Sequence, residues 1–493
     1  MPVPGDGFGR NVAASVANAA TQIAVAVVSV PLVIDGLGLS GYGVWALAQT
    51  AVVYVATAES GLGPAIQRHA AVARGAGRPE RVAALLWTSL GLYALLGAVA
   101  VLACLVLGTP FADVFDVPAR LRGDAIAMVP LLGPAIALAL LAAGFGNVQQ
   151  GTERFPAYAW TAAAGSVAFI AVLAVAAADG LTLAALARAL IVQQAVVVAS
   201  RAWELRDVWA GRPPRLVGRA EARELVGFSA RLQAATVAAV VNNQTDKVVV
   251  GLVAGTAAVG QVGIAVQIAE AGRLIGGAAL SPMISRLSLA HGAGAAAAAF
   301  ARMNRLWVLA VIGATAIGLG TVAPLVRGWL GGGHGAAAGY GALLIAAYGL
   351  NLLAGGATAY LRALGRPGLE ARTALLIMTV NVAGTIALGL LLGPWGVVAA
   401  TTVAYAAGTG WFLRRCRPLL PAGSAVLPPR ASALAALPAA LAAGAFGLAA
   451  AAVLPTGVAL VAVAAGALAA FAGYLALATG TRPSLRGLRA LLA

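Results

Sequence analysis

The chain has 493 residues, 61% of them hydrophobic and only 10% charged, with a mean hydropathy of +0.92 and a formal charge of +16. Soluble domains carry roughly a quarter charged residues, so this composition excludes an ordinary water-soluble enzyme or binding module and points to an integral membrane protein. The two cysteines, Cys104 in mid-span and Cys416 in a loop, give no disulfide framework.

Apolar runs of about 20 residues, enough to cross a bilayer as a helix, recur from end to end. The first, 11–34, is too long for the core of a cleavable leader, and no leader precedes it. Spans follow at 43–66, 83–107, 125–148, 157–178 and 181–200, and then an arginine-rich stretch leads to 227–253. The remainder are 258–284, 306–329, 340–361, 373–392, 396–413, 433–454 and 457–478. Unbroken apolar lengths without ten-residue alternation predict helices rather than barrel strands. The expected fold is therefore all-α, with about fourteen transmembrane helices. Of the 32 basic residues, 25 fall in the two termini and the even-numbered loops, 3 in the odd-numbered loops (Arg120, Arg122, Arg327) and 4 within spans. By the positive-inside rule both termini face the cytoplasm. The positive charge is then a topology signal with some attraction to anionic lipid, and no nucleic-acid partner is needed to explain it.

The spans show internal order. Span 2 begins GVWALA at Gly43 and span 8 begins GQVGIA at Gly260, an offset of 217. Span 4 runs into QQGTERFP and span 10 into LRALGRPG, which pairs Gly151 with Gly365, Arg154 with Arg366 and Pro156 with Pro367 at offsets of 211–214. A six-plus-six duplication follows: an N-lobe at 1–220, a C-lobe at 221–417, and two added spans in 418–493 after the Pro-rich stretch 418–429. Six spans per repeat make the repeats parallel, a pattern common among transporters.

Four segments carry a family resemblance: GYGVWAL (41–47), ESGLGPAIQR (59–68), QQGTERF (149–155) and TDKVVVGLVAGTAAVGQVGIA (245–265). In this order and spacing the chain resembles the polysaccharide-transporter branch of the multidrug/oligosaccharidyl-lipid/polysaccharide (MOP) exporter superfamily, over about the first 415 residues. The resemblance implies a two-lobed, V-shaped transporter that flips a lipid-linked oligosaccharide, usually on undecaprenyl pyrophosphate, across the bacterial cytoplasmic membrane. It also implies cell-surface polysaccharides such as O-antigen or lipopolysaccharide as products, and polysaccharide assembly proteins as partners.

Polar residues inside the spans are the candidate site, since they are costly against lipid. Asn11, Ser15, Asn18, Gln22 and Ser29 fall within about 60° on span 1, and Arg231, Asn242, Thr245 and Asp246 within about 100° on span 7 at 100° per residue. Both stripes suit a watery cavity, with Asn18, Gln22 and Asn242 as substrate contacts. Asp246 lies roughly 12 Å in from the outer end of its span at 1.5 Å per residue, which suits either an ion site or a brace. Lys247, the sole lysine, points elsewhere and can extend to the interface. Gln267, Glu270 and Arg273 share a face of span 8. Glu270 and Arg273 form either a structural bridge or an anion contact whose carboxylate carries a coupling proton. Arg188 on span 6 contacts either an anionic headgroup or a private partner. Glu59 occupies the acidic position before GLG in the family motif, and is either an ion-coupling group or a support for the glycine turn.

Energy sources narrow by elimination. The lysine follows Thr245-Asp246, so no P-loop exists. His69, His291 and His334 stand apart, so no zinc spacing exists. No cofactor is expected, and coupling to an H+ or Na+ gradient, or pull on the substrate from outside, remains. Two other classes compete: a cation-coupled exporter of small molecules, and a membrane glycan polymerase or ligase using Asp113, Asp116 and Asp124 near Arg120 and Arg122.

Overall fold

The computed structural model describes residues 5–57, 62–292, 296–366, 368–421 and 434–479; the side chains of 5–19, 55–56, 219–239 and several between 243 and 292 fall outside that description. Among the described residues there is helix and no strand. Helices close every backbone hydrogen bond within one segment, as hydrocarbon requires. In chain order they are α1 (Gly5–Ala56), α2 (Leu62–Gly75), α3 (Pro79–Val114), α4 (Ala119–Gly151), α5 (Phe155–Ala178), α6 (Leu183–Glu204), the short α7 (Arg206–Trp209), α8 (Arg219–Gly292), α9 (Ala296–Leu330), α10 (Gly335–Leu353), α11 (Gly355–Ala363), α12 (Gly368–Cys416), α13 (Ala436–Val453) and α14 (Val458–Thr479).

Eleven stretches are long and apolar enough to cross a membrane. Three of these are two helices joined at a glycine: Gly38 in α1 (φ 71°, ψ 175°), Gly255 in α8 (φ 76°, ψ 178°) and Gly393 in α12 (φ 60°, ψ −144°). The first two sit in a region of backbone space open essentially to glycine alone. The sequence suggests short loops at these places; the structure makes each turn at a single residue. Eleven candidate spans, three of them broken at a glycine, are consistent with the fourteen apolar runs.

Helix contacts run through small residues, which let backbones approach where no hydrophobic drive separates helix from lipid. On the α3–α4 seam, Gly97 lies against Ala137, Gly133 against Val101 and Cys104, and Gly108 against Ile126. In α9, Gly313 receives Tyr474 of α14, Gly320 meets the Ala440 carbonyl of α13, and Gly328 meets Ala459 of α14. Small-residue spacing is everywhere in this sequence and does not by itself mark these positions.

The repeats are visible in hydrogen bonding. At the end of α4 the N–H groups of Thr152, Glu153 and Arg154 donate to the carbonyls of Val148, Gln150 and Gln149; after α11, Leu364, Gly365 and Arg366 donate to Tyr360, Arg362 and Leu361. Each position is displaced by 212, and Glu153 (φ 56°) and Gly365 (φ 69°) are both left-handed. Arg154 thus pairs with Arg366 as its sequence position suggests. Gly365 is instead the counterpart of Glu153 rather than Gly151, because the backbone conformation, not the residue type, sets the register.

Two compact units result, Met1–Gly260 and Gln261–Ala493. Residues 221–260 count with the first unit, and the part of α8 around Gly255 packs on α1. Gly43 lies so close to the Thr256 carbonyl that a Cβ there would overlap it, Gly260 lies against the Leu39 carbonyl, and Gly251 lies against Leu47 and the Phe115 ring.

Candidate functional site

In the second unit, the run of α8 beyond Gly260 sets Glu270 and Arg273 three residues apart on one helix face. Arg273 Nε donates to Glu270 Oε2 at 3.0 Å, and Nη1 donates to the Tyr405 hydroxyl of α12 at 3.4 Å. The guanidinium also stands 5.2 Å from the centroid of the Tyr348 ring of α10, whose plane is nearly perpendicular to that of Tyr405 at 5.5 Å. A cation against a ring face gains from the ring quadrupole, more so where water is scarce. Three helices therefore hold one cation. The guanidinium has five N–H donors; these two hydrogen bonds leave part of its fork open, and the side chain is 33% exposed. An anion with two or three oxygens can add to the pair without displacing Glu270.

The sequence marks Glu270 and Arg273 but not Tyr348 and Tyr405. Their signal is weak: each is one tyrosine in an apolar run, and only the need of a hydroxyl for a polar partner inside a span sets it apart.

In the first unit a second polar group forms where α8 meets α1. Thr50 Oγ1 bonds Gln244 Oε1 at 3.2 Å, and Lys247 Nζ reaches back one turn to the same oxygen at 3.3 Å. The sole lysine thus turns along its own helix rather than stretching to the interface. Asn242 is buried and Asp246 half-buried on α8. Gln22 is exposed on α1 and Arg188 exposed on α6, where Arg188 makes no ion pair among the described residues. The Asn18 side chain and Glu59 lie outside the described residues. The structure therefore joins Glu270 to Arg273 directly, while Arg188 belongs to the first unit.

Arg201 is a further intramembrane cation that sequence reasoning missed, because its position near the end of span 6 reads as a loop. It is buried, donates to the Ala142 carbonyl at 2.7 Å and to Thr161 Oγ1 at 3.4 Å, and stacks 4.4 Å from the Tyr158 centroid. Gly146 makes room for it, since a Cβ there would lie 2.6 Å from Nη1. At the adjacent helix ends Arg154 bonds the Asp207 carboxylate through both guanidinium arms and the Glu204 carbonyl at 2.7 Å, which holds the Asp207 carboxyl below its ordinary range.

Two of the three aspartates of the 108–124 segment are also engaged. Asp113 pairs with Arg122, and Asp124 accepts from the N–H groups of Leu183 and Ala184, where the helix dipole of α6 favours a negative charge. Among the described residues no group of His, Cys, Asp and Glu could hold a metal ion.

A family model described as polysaccharide biosynthesis protein matches residues 8–288. Among solved structures, the chain is similar to the lipid II flippase MurJ in an inward closed conformation (TM-score 0.70, 12% identity, covering 94% of this chain and 98% of that one). It is also similar to a multidrug resistance MATE family transporter of the MOP superfamily in an inward-facing conformation (TM-score 0.62, 16% identity, 82% and 95% covered). A third is a MOP superfamily transporter from Pyrococcus furiosus, described by the reverse polarity of its binding pocket (TM-score 0.60, 16% identity, 84% and 96% covered). At these identities the likeness is one of fold. No curated protein matches the chain.

Proposed function

Because the chain belongs to the polysaccharide biosynthesis protein family of the MOP superfamily, we propose that it is a flippase for a lipid-linked oligosaccharide, carried on undecaprenyl pyrophosphate, in the bacterial cytoplasmic membrane. The six-span repeats at 1–220 and 221–417 are its lobes, 418–493 is an addition, and both termini are cytoplasmic. The glycan enters from the inside and leaves on the outer face, for assembly into a cell-surface polysaccharide.

The observation that carries this reading is Arg273, held by Glu270, Tyr405 and Tyr348 with part of its fork open. Charge-assisted bonds from a guanidinium match phosphate oxygens, and the buried tyrosines hold that guanidinium in place. Asn18, Gln22, Asn242 and Arg188 are assigned to further substrate contacts. Asp246 is assigned to ion coupling, with Glu59 and Glu270 as secondary coupling groups. A carrier of organic cations would be served by a carboxylate open to its cargo, whereas Glu270 is paired with an arginine. The polymerase reading loses its support, because two of its three aspartates are bound within the fold.

The test is export of lipid-linked glycan by cells that lack the native gene and carry Arg273→Ala at matched membrane abundance. Export is expected to fall at least tenfold, and Arg273→Lys to keep only part of the rate. Full export by Arg273→Ala would reduce the cluster to a structural bridge.

A further inference from the structure

Two glycine contacts of the first unit are copies of each other. Gly43 and Gly260 are 217 positions apart, as are Leu39 and Thr256, and so are the breaks Gly38 and Gly255, whose dihedral angles nearly coincide. Gly43 lies against the Thr256 carbonyl, and Gly260 lies against the Leu39 carbonyl. Under a shift of one repeat the first contact becomes the second. This is the signature of a two-fold interface, in which residue i meets j and j meets i, written here within one chain.

The contact is between backbones. A Cβ on Gly43 would overlap the Thr256 carbonyl oxygen and approach the Gly260 nitrogen at 3.1 Å; a Cβ on Gly260 would stand 2.5 Å from the Leu39 carbonyl oxygen. In both cases the nearest atom in the way is a carbonyl oxygen within a helix, which cannot swing aside as a side chain would. On one flank Gly251 meets Leu47 and Phe115, and farther along α1 Thr50 meets Gln244. Two features make such a contact suited to repeated opening. At the two glycines themselves the Leu39 side chain alone has to be ordered when it forms, and dispersion between glycine and carbonyl is individually small.

We propose that Gly43 and Gly260 are paired gate residues at the outer end of the transport path: they meet backbone to backbone to close it and part to release the glycan. This rests on the flippase reading and its orientation. Substitution of either glycine by alanine then has one consequence, a path that cannot seal from outside. The two variants should behave alike although they lie 217 positions apart.

The experiment uses the full chain with Cys104 and Cys416 replaced by alanine and Thr50→Cys as a reporter, since Thr50 is buried behind the contact. Intact cells are treated with an impermeant maleimide. Gly43→Ala and Gly260→Ala are each expected to raise the labelling rate about tenfold or more and to lower export. Gly410→Ala, where no atom lies within 4 Å of the added Cβ, is expected to change neither. Wild-type labelling in both variants at normal abundance would overturn the proposal. Should either variant fail to insert, a second arm decides: Thr50→Cys with Gln244→Cys, bridged by a short bifunctional methanethiosulfonate. Export is expected to stop on bridging and return on reduction, whereas unchanged export by the bridged protein would overturn the gate. Opening by the alanine variants in a protein that exports no lipid-linked glycan would leave the gate standing and defeat the flippase reading instead.

Discussion

Glu153 occupies the left-handed region at the end of α4 (φ 56°), where its counterpart in the second repeat is Gly365. A Cβ in that conformation costs roughly 1–2 kcal/mol, and glycine returns about 0.5–1 kcal/mol of that through its greater unfolded-state entropy. Glu153→Gly is therefore expected to leave stability unchanged or raise it by up to about 1 kcal/mol. Gly365→Glu is expected to lower it by a similar amount or more. Thermal unfolding of the purified protein in detergent measures both, and a clear loss in Glu153→Gly would show that the glutamate side chain contributes more than its backbone costs.

Helix breaks are the feature of the elements with the greatest reach. Gly38 and Gly255 each join two helices at one residue in a conformation that other residues enter only at about 1–3 kcal/mol. Neither site is crowded by backbone, so the penalty is conformational: a Cβ on Gly255 would find no atom within 4 Å. Gly255→Ala should accordingly destabilise by about that amount while the extent of labelling at Thr50→Cys reports whether the Gly43–Gly260 contact still forms; a stability equal to wild type would contradict the assigned strain. The helical character and order of the spans were legible from apolar length, because burial in lipid writes itself along the whole segment. The breaks were legible only as gaps between runs, since one glycine among 62 carries no local mark. Glu270 and Arg273 stood out because charge is rare in spans, whereas Tyr348 and Tyr405 did not, because an aromatic facing a cation and one facing lipid look alike in a sequence.

At the scale of the molecule, the arginine distribution predicts which ends of the helices share a side. Arg74, Arg212 and Arg415 are expected in the cytoplasm, and Asp116 and Gly333 outside. Single cysteines at these five positions, probed with an impermeant thiol reagent in intact cells, should label at 116 and 333 only. Labelling at 212 would require an odd number of crossings before it and would break the parallel relation of the repeats. The 212-residue register between Thr152–Arg154 and Leu364–Arg366 depends on that relation as well, because parallel repeats place equivalent helix ends at one surface.

The glycine face of α9 also bears on how the chain is made. Gly313, Gly320 and Gly328 receive Tyr474, Ala440 and Ala459, all supplied by α13 and α14. Those helices emerge from the ribosome roughly a hundred residues after α9 ends, and synthesis proceeds at about 5–20 residues per second. For several seconds α9 lies in the bilayer with lipid where its permanent neighbours will sit. Maturation of the second unit is thus a late event, timed by the last two helices to be translated, and a ribosome that stalls before them leaves α9 with an unfilled seam.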